Sequence, residues 1–276
     1  MSVIDQEREE RMPSRSFLIT PQQTISAARK GGMSDQALTL SGIAVLTFCR
    51  DVMAQLRRRC ALTEFEWLSS RHHPYAAPHV VQRGKFQHLD VIALVPPMGG
   101  SPMACVVEDL VACGIQAVFL VCAAWSVGPP VAFGDIIIPT FSVGRDGTSI
   151  HYGNRQGRME ASPRVVEALT AAARDVGVRF HTGGNGTCEA LYRITPQMVS
   201  RFQSEGCLCL DNGEASTLFA LSRAVGVPAG VIFQPYIELP QGWDPERLRD
   251  ERYRIVSHYQ ADIALEAGLR LTGLTA

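Results

Sequence analysis

The sequence predicts an α/β domain built on a parallel sheet, and three observations carry that expectation. Residues 91–95 (VIALV) and 117–122 (AVFLVC) are unbroken apolar runs, the pattern of strands buried on both faces of a sheet. Between them lies a helix with its own punctuation. Ser101 suits the N-cap, Pro102 the first turn, and Gly114 the position just past the end. Strand, helix and strand in that order make a βαβ unit, whose two strands run parallel. Ligands of such sheets sit beyond the C-terminal ends of the strands. Those ends fall at residues 96–100, which offer bare glycine backbone, and at residues 122–126, where Cys122, Ala123, Ala124 and Trp125 carry no charge.

In chain order, residues 1–15 are polar and expected to be flexible. Residues 16–20 (SFLIT) predict a short strand ended by Pro21. Ser34 predicts the cap of a long helix over residues 36–59, because Leu38, Ile43, Leu46, Val52, Met53 and Leu56 fall close to a helical period. Residues 71–82 read as a loop. His72 and His73 would point apart on any regular element, so a shared metal is not expected there. Beyond the central unit, the strand IIIP (136–139) leads to an Arg145-Asp146-Gly147 turn, and TSIHY (148–152) reads as an alternating strand. Ser162-Pro163 opens a helix that Gly177 stops. Residues 178–181 predict a strand, and Gly183-Gly184-Asn185-Gly186 a flexible turn, since it lacks the spacing and lysine of a P-loop. Thr195-Pro196 starts another helix, residues 207–211 form a strand, and Asn212-Gly213-Glu214 leads into a helix stopped by Gly226. Residues 229–233 are the next strand, and Asp244-Pro245 predicts the cap of a long C-terminal helix ending near Gly268. No repeat, low-complexity tract or linker interrupts this order, so a flexible stretch over residues 1–15 and one domain over residues 16–276 are expected.

Composition bounds the function. With 276 residues, 46% of them hydrophobic, the chain can bury the core of one large α/β domain or two smaller ones. A formal net charge of −1 and no basic stripe argue against nucleic acid; Arg57-Arg58-Arg59, the one basic run, reads as a solvated helix end. The polar N-terminus does not resemble a secretory signal, and no apolar stretch reaches the length of a membrane span, so a cytoplasmic protein is expected. The eight cysteines are scattered through mostly apolar runs, as reduced buried thiols are. Cys207 and Cys209 would share one face of a strand, where core packing is a better reading than a metal.

Glu214 stands where a strand gives way to a helix, after a glycine that lets the backbone approach closely. A carboxylate there can accept hydrogen bonds from vicinal hydroxyls, as on a ribose. It can equally be a helix N-terminal acid that meets the helix dipole. The residues alone leave both readings open.

Several motifs together resemble the nucleoside phosphorylase family, and most of all its uridine phosphorylases. MGGSPMACVVEDL (98–110) resembles the family's glycine turn and helix. FGDIIIPTFSVGRDGTSIHY (133–152) resembles its Gly-Asp strand and the Asp-Gly-(Thr/Ala)-Ser-x-His turn. NGEASTLFALSRAVGVPAGVI (212–232) resembles its Glu-Met-Glu helix and the strand after it. The resemblance implies a three-layer α/β sandwich with a mixed central sheet partly closed into a barrel. It implies cleavage of a ribosyl–base bond with phosphate as nucleophile, no metal or organic cofactor, and a homodimer or homohexamer in which a neighbour reaches into each site.

The departures from the family pattern are as informative. Where the family's Arg-x-Gly-Thr-x-Gly turn holds phosphate, this chain has Leu120, Cys122, Ala123 and Trp125. The family's Gly-Asp-Pro-x-Arg loop falls on residues 22–26 (QQTIS), without arginine or glycine; Arg71 or Arg83 offers a single charge from the region of the neighbour-donated arginine. An unpaired phosphate dianion in a cleft costs several kcal/mol. At the base end, Leu191 replaces an aromatic, Tyr192 is retained, Glu189 stands for an aspartate, and the strand runs on through Gln234-Pro235-Tyr236. Of Glu-Met-Glu, Asn212 and Gly213 replace the first two residues and Glu214 alone is kept. The candidate site is therefore Glu214 as catalytic group, with Met98, Gly99, Leu120, Cys122, Ala123, Trp125, Glu189, Leu191, Tyr192, Gly213 and Tyr236 binding a small molecule. The expected function is a repurposed enzyme acting without phosphate on a neutral, partly apolar or nucleoside-like compound, by glycosidic hydrolysis or by cyclisation, isomerisation or elimination. A genuine nucleoside phosphorylase and a non-catalytic binding protein are the alternatives.

Overall fold

The structure, a computed structural model, describes residues 17–68, 72 and 76–273. The chain runs α1 (Pro21–Lys30), α2 (Asp35–Leu38), β1 (Ile43–Leu46), α3 (Arg50–Cys60), β2 (Thr63–Glu64), β3 (Val80–Phe86), β4 (Leu89–Val95), α4 (Gly100–Ala112) and β5 (Ala117–Ser126). It continues with β6 (Ile136–Val143), β7 (Arg158–Glu160), α5 (Pro163–Val176), β8 (Phe180–Thr187), α6 (Pro196–Ser204), β9 (Cys207–Asp211), α7 (Glu214–Val225), β10 (Ala229–Glu238) and α8 (Glu251–Thr272).

The ten strands among the described residues belong to one mixed sheet in the order β10-β6-β8-β9-β5-β1-β4-β3-β2, with β7 on the edge of β6. A further pairing of β10 with β5 closes β5, β9, β8, β6 and β10 into a five-stranded barrel. β4 and β5 are parallel, as the βαβ pattern requires, but β1 lies between them.

The unbroken apolar strands feed two cores at once. Ala44, Leu46, Ile92, Leu94, Val118 and Leu120 pack under α1, α4 and α7, against Ile25, Met103, Leu110 and Leu218. The alternate residues Ile43, Val45, Val91, Ala93, Phe119 and Val121 pack under α3, α5 and α8, against Val52, Leu56, Leu169 and Ile263. Period-two alternation with both faces buried produces a three-layer sandwich. The expected architecture, a mixed sheet partly closed into a barrel between helices, is the one observed. Among the described residues no helix is long and apolar enough to cross a membrane.

Several local expectations are corrected. Residues 17–20 form no strand; Phe17, Leu18 and Ile19 are exposed and Pro21 starts a helix rather than ending a strand. The long helix over residues 36–59 is instead α2, β1 and α3. Ser34 Oγ does cap a helix, but one of only four residues. Ile43, Ala44, Val45 and Leu46 are all fully buried in mid-sheet, a short apolar run whose spacing also fits a helix. TSIHY is a 3-10 turn over Ser149–Tyr152, because the Asp146 carboxylate takes the N–H groups of Thr148 and Ser149. The run Gly183 to Gly186 is strand, not turn: it is the second half of β8. The last long helix begins at Glu251, capped by Asp250, whose carboxylate takes the Arg252 N–H, and passes Gly268 to end at Thr272. Asp244 caps a separate 3-10 turn, Pro245–Arg249. Cys207 and Cys209 pack in different apolar clusters, the first beside Phe202 and the second in the central core. Residues 1–15, Arg71 and His73 lie outside the described residues.

The glycines of β8 are there for space. A Cβ on Gly186 would stand 2.4 Å from Leu210 Cδ2 and 2.8 Å from Phe202 Cδ1, where α6 packs on the barrel strands. Gly186→Ala is expected to lower stability by ~1–3 kcal/mol through overpacking. The readout is a lower urea midpoint at unchanged slope; an unchanged midpoint would contradict this tight packing.

Candidate functional site

The site is organised by a change of neighbours along β5. Residues Ala117 to Leu120 pair with β1 on one edge, and Trp125 and Ser126 pair with β9 on that same edge. The opposite edge is occupied throughout by β10, from Ala229↔Val118 to Glu238↔Ser126. Between Val121 and Ala124 one edge of β5 therefore has no strand beside it. That opening is the switch point at which α/β sheets hold ligands. Residues 122–126 are thus strand rather than turn, yet they do stand at the mouth. The turn after β1 arrives there too: Cys49 lies against the Ala123 backbone and its Sγ is 3.5 Å from Tyr253 Oη.

Glu214 is the first residue of α7, and Gly213 before it turns the chain with φ +97. α4 begins alongside it. A Cβ on Gly100 would fall 2.3 Å from Thr217 Oγ1, so only glycine lets the two helix starts pack this closely. Gly99 N–H then donates to Glu214 Oε1 at 2.9 Å. Glu214 is only 4% exposed. Burial, and next the charge of Asp211, push its carboxyl up from 4.5 to about 7 against the N–H groups that favour the anion.

Two further carboxylates stand behind it. Asp211, the last residue of β9, accepts from Ala215 N–H at 2.7 Å, Gly213 N–H at 3.2 Å and Asn185 Nδ2 at 2.9 Å. Burial still raises it. Asp146, in the loop after β6, is also buried, which alone would raise it. The hydrogen bonds from Ser149, Ser216 and Thr148 outweigh that and hold it below the usual carboxylate range. Glu189 lies on the exposed side, where Oε2 accepts from Gly147 N–H at 3.2 Å and Cγ packs over Gly213.

The other end of the site is apolar. Trp125, 6% exposed, donates its indole N–H to Tyr236 Oη at 2.8 Å, and Tyr236 meets Trp243 edge-on at 6.1 Å. Trp125 packs with Val127, Phe202, Leu210 and Ile237, and Leu191 and Tyr236 border this cluster. Leu210, the β9 partner of Trp125, directly precedes Asp211, so the two side chains leave opposite faces of β9, the first into the apolar cluster and the second toward the start of α7.

The remaining predicted residues separate by depth. Ala123 is half-buried level with Gln234, while Cys122 is buried and its carbonyl accepts from Gln260 Nε2 at 2.9 Å. Burial raises the Cys122 thiol well above its ordinary value, with the charges of Cys49 and Glu214 adding to it. Leu120 is fully buried in the core beneath α4 and α7. Met98 and Tyr192 are exposed at the rim, 66% and 96%, with Asn212 Nδ2 3.9 Å from Met98 Sδ. Among the described residues no cluster of three or more His, Cys, Asp or Glu could hold a metal ion. Sequence reasoning missed Asp211, Asn185 and Cys49. The only available signal for Asp211 was an acid closing an apolar strand, three residues before Glu214.

Comparison with known proteins accords with this geometry. The Phosphorylase superfamily matches residues 43–234, from the start of β1 to Gln234 in β10. The uridine phosphorylase of Thermococcus kodakarensis is 26% identical over 178 residues, 60% of this chain and 64% of that protein. The uridine phosphorylase of Klebsiella aerogenes is 24% identical over 203 residues, 68% of this chain and 79% of its own length. The guanosine phosphorylase of Halorubrum lacusprofundi is 28% identical over 135 residues, 48% of this chain and 55% of its own. The chain thus spans less than two thirds of the Thermococcus protein. Residues 22–26 lie in α1 and outside the matched span, so the first strand-to-helix turn of the matched fold is Thr47-Phe48-Cys49, followed by the exposed Arg50 of α3. Arg83 is on β3 with its guanidinium 4.5 Å over the Phe65 ring. By the span matched and the barrel it encloses, the chain belongs to the Phosphorylase superfamily.

Proposed function

We propose that this chain is an enzyme that works on the phosphorylase framework without phosphate, on a neutral, partly apolar or nucleoside-like small molecule. The observation that carries this reading is the pairing of a buried Glu214 carboxyl with an apolar end built from Trp125, Tyr236 and Leu191. An apolar hollow with one convergent polar group suits an uncharged ligand. Phosphate would need several charge-assisted donors. The opening instead offers the Cys49 thiol, the Ala123 backbone and two acids behind Glu214, with Arg50 exposed at its edge. Glu214 then serves as hydroxyl anchor or as acid–base group in hydrolysis of a glycosidic bond, or in a cyclisation, isomerisation or elimination.

The relatives' names favour a second reading, phosphorolysis of a nucleoside. Release of base from uridine or inosine is the discriminating assay: no phosphate-dependent turnover is expected at millimolar phosphate, and turnover that requires phosphate would establish the second reading instead. For whichever compound is converted, Glu214→Gln is expected to cost at least ~100-fold in kcat while the circular dichroism is kept. A compound that binds, shown by thermal shift, and is never converted would make the chain a binding protein.

Trp125→Gly is expected to weaken ligand binding by about tenfold or more in a calorimetric titration, since it deletes the apolar wall and leaves Tyr236 Oη without its indole partner. Unchanged affinity would remove Trp125 from the site. Stability should also depend on pH in a defined direction. Glu214 keeps its proton to about 7 when folded but releases it near 4.5 when unfolded, so between those values the folded state binds more protons. This group therefore makes stability fall as pH rises across that window and level off above it. In urea titrations at several pH values, Glu214→Gln should remove this component of the slope; an identical slope in both proteins would contradict it.

A further inference from the structure

Three carboxyls meet at the start of α7, and hydrogen-bond donors are distributed among them very unevenly. Asp146 accepts from Thr148 N–H at 2.9 Å, Ser149 N–H at 2.5 Å, Ser149 Oγ at 2.6 Å, Ser216 Oγ at 2.6 Å and Thr217 Oγ1 at 3.3 Å. Asp211 accepts from three N–H groups, those of Ala215, Gly213 and the Asn185 side chain. The Asn185 amide is held in that sense because its oxygen accepts from Cys209 Sγ at 3.4 Å. Among the described residues Glu214 accepts one fully formed hydrogen bond, from Gly99 N–H at 2.9 Å; its own amide, which supports the anion more than Gly99 does, and that of Asn212 stand close without completing such a bond. Donors that bind the anion favour ionisation, and neighbouring like charges oppose it. Three buried carboxyls that share a helix end must place any retained proton on the member with the fewest donors.

We propose that Asp211, with Asp146 beyond it, is a positioning residue that keeps the proton on Glu214, so that the site presents a neutral carboxylic acid to its ligand. This rests on the reading of Glu214 as the working acid of the site. The chemical consequence concerns the ligand. A neutral acid donates, so the atom it meets is an uncharged lone-pair donor: an ether, carbonyl or hydroxyl oxygen, or a ring nitrogen. The ionised Asp146 behind that acid also repels an incoming anion, which adds to the case against phosphate. The groups that face Glu214 from each packed element are consistent with this arrangement. They are Asp211 from β9, the uncharged Cys122 thiol from β5 and the Gly99 N–H from the start of α4, while Asp146 from the loop after β6 and Glu189 from the loop after β8 lie one residue away, against Gly213.

The test reads protonation directly and needs no substrate. Infrared spectra of the full chain, with the protonated-carboxyl band assigned by its loss in Glu214→Gln, should show Glu214 protonated at pH 6 and titrating near neutrality. Asp211→Asn should lower that midpoint by about one pH unit or more. Asn185→Ala should also lower it, because Asp211 then loses a donor and competes for the proton. An ionised Glu214 at pH 6 in the unaltered chain overturns the proposal even if neither variant folds. So does a midpoint that Asp211→Asn and Asn185→Ala both leave in place. Because the titration is read without ligand, a chain that titrates as expected but converts nothing defeats the enzymatic reading and leaves this one standing.

Discussion

The structure depends on β5 having one edge that two different strands divide. β1 takes its first residues and β9 its last, while β10 runs along the other edge throughout. A parallel sheet and a closed barrel thus share one strand, and the stretch where neither β1 nor β9 reaches is where the turn after β1, the start of α4 and the start of α7 converge. Backbone amides left unpaired at helix starts supply donors there, and the free edge supplies the opening. Cys49, Gly99 and Glu214 reach that stretch from helix starts, because three strand ends come together there.

Electrostatics at that opening are set by burial rather than by countercharge. Glu214, Asp211 and Asp146 are stabilised by N–H and O–H groups, and burial pushes the least supported of them toward neutrality. In water such carboxyls would all be ionised, whereas here burial outweighs the hydrogen bonds at Glu214 and Asp211 and is outweighed by them at Asp146.

Much of the architecture was legible in the sequence where the physical signal is local and strong. The apolar runs of β4 and β5, the glycine stops at Gly177 and Gly226, and the Gly213-Glu214 corner all read correctly. The failures have specific causes. β1 is four residues of apolar chain whose spacing is shared by helix and strand, so only its burial between β4 and β5 decides the matter. The glycines of β8 look like a turn because their reason, the bulk of Phe141, Phe202 and Leu210 opposite them, is remote in sequence. For the site, Glu214 and its neighbours Gly99 and Gly213 could be found from strand-to-helix corners. Asp211, Asn185 and Cys49 could not, because their importance lies in contacts across β8, β9 and α8 that no spacing rule encodes.

The contact of Gly100 with Thr217 has an outcome for motion as well as for shape. With only the Thr217 side chain between the two starts there is no slack for sliding, so α4 and α7 are expected to shift together. The Gly99 amide and the Glu214 carboxyl sit on these two coupled starts, so the bond between them travels with the pair.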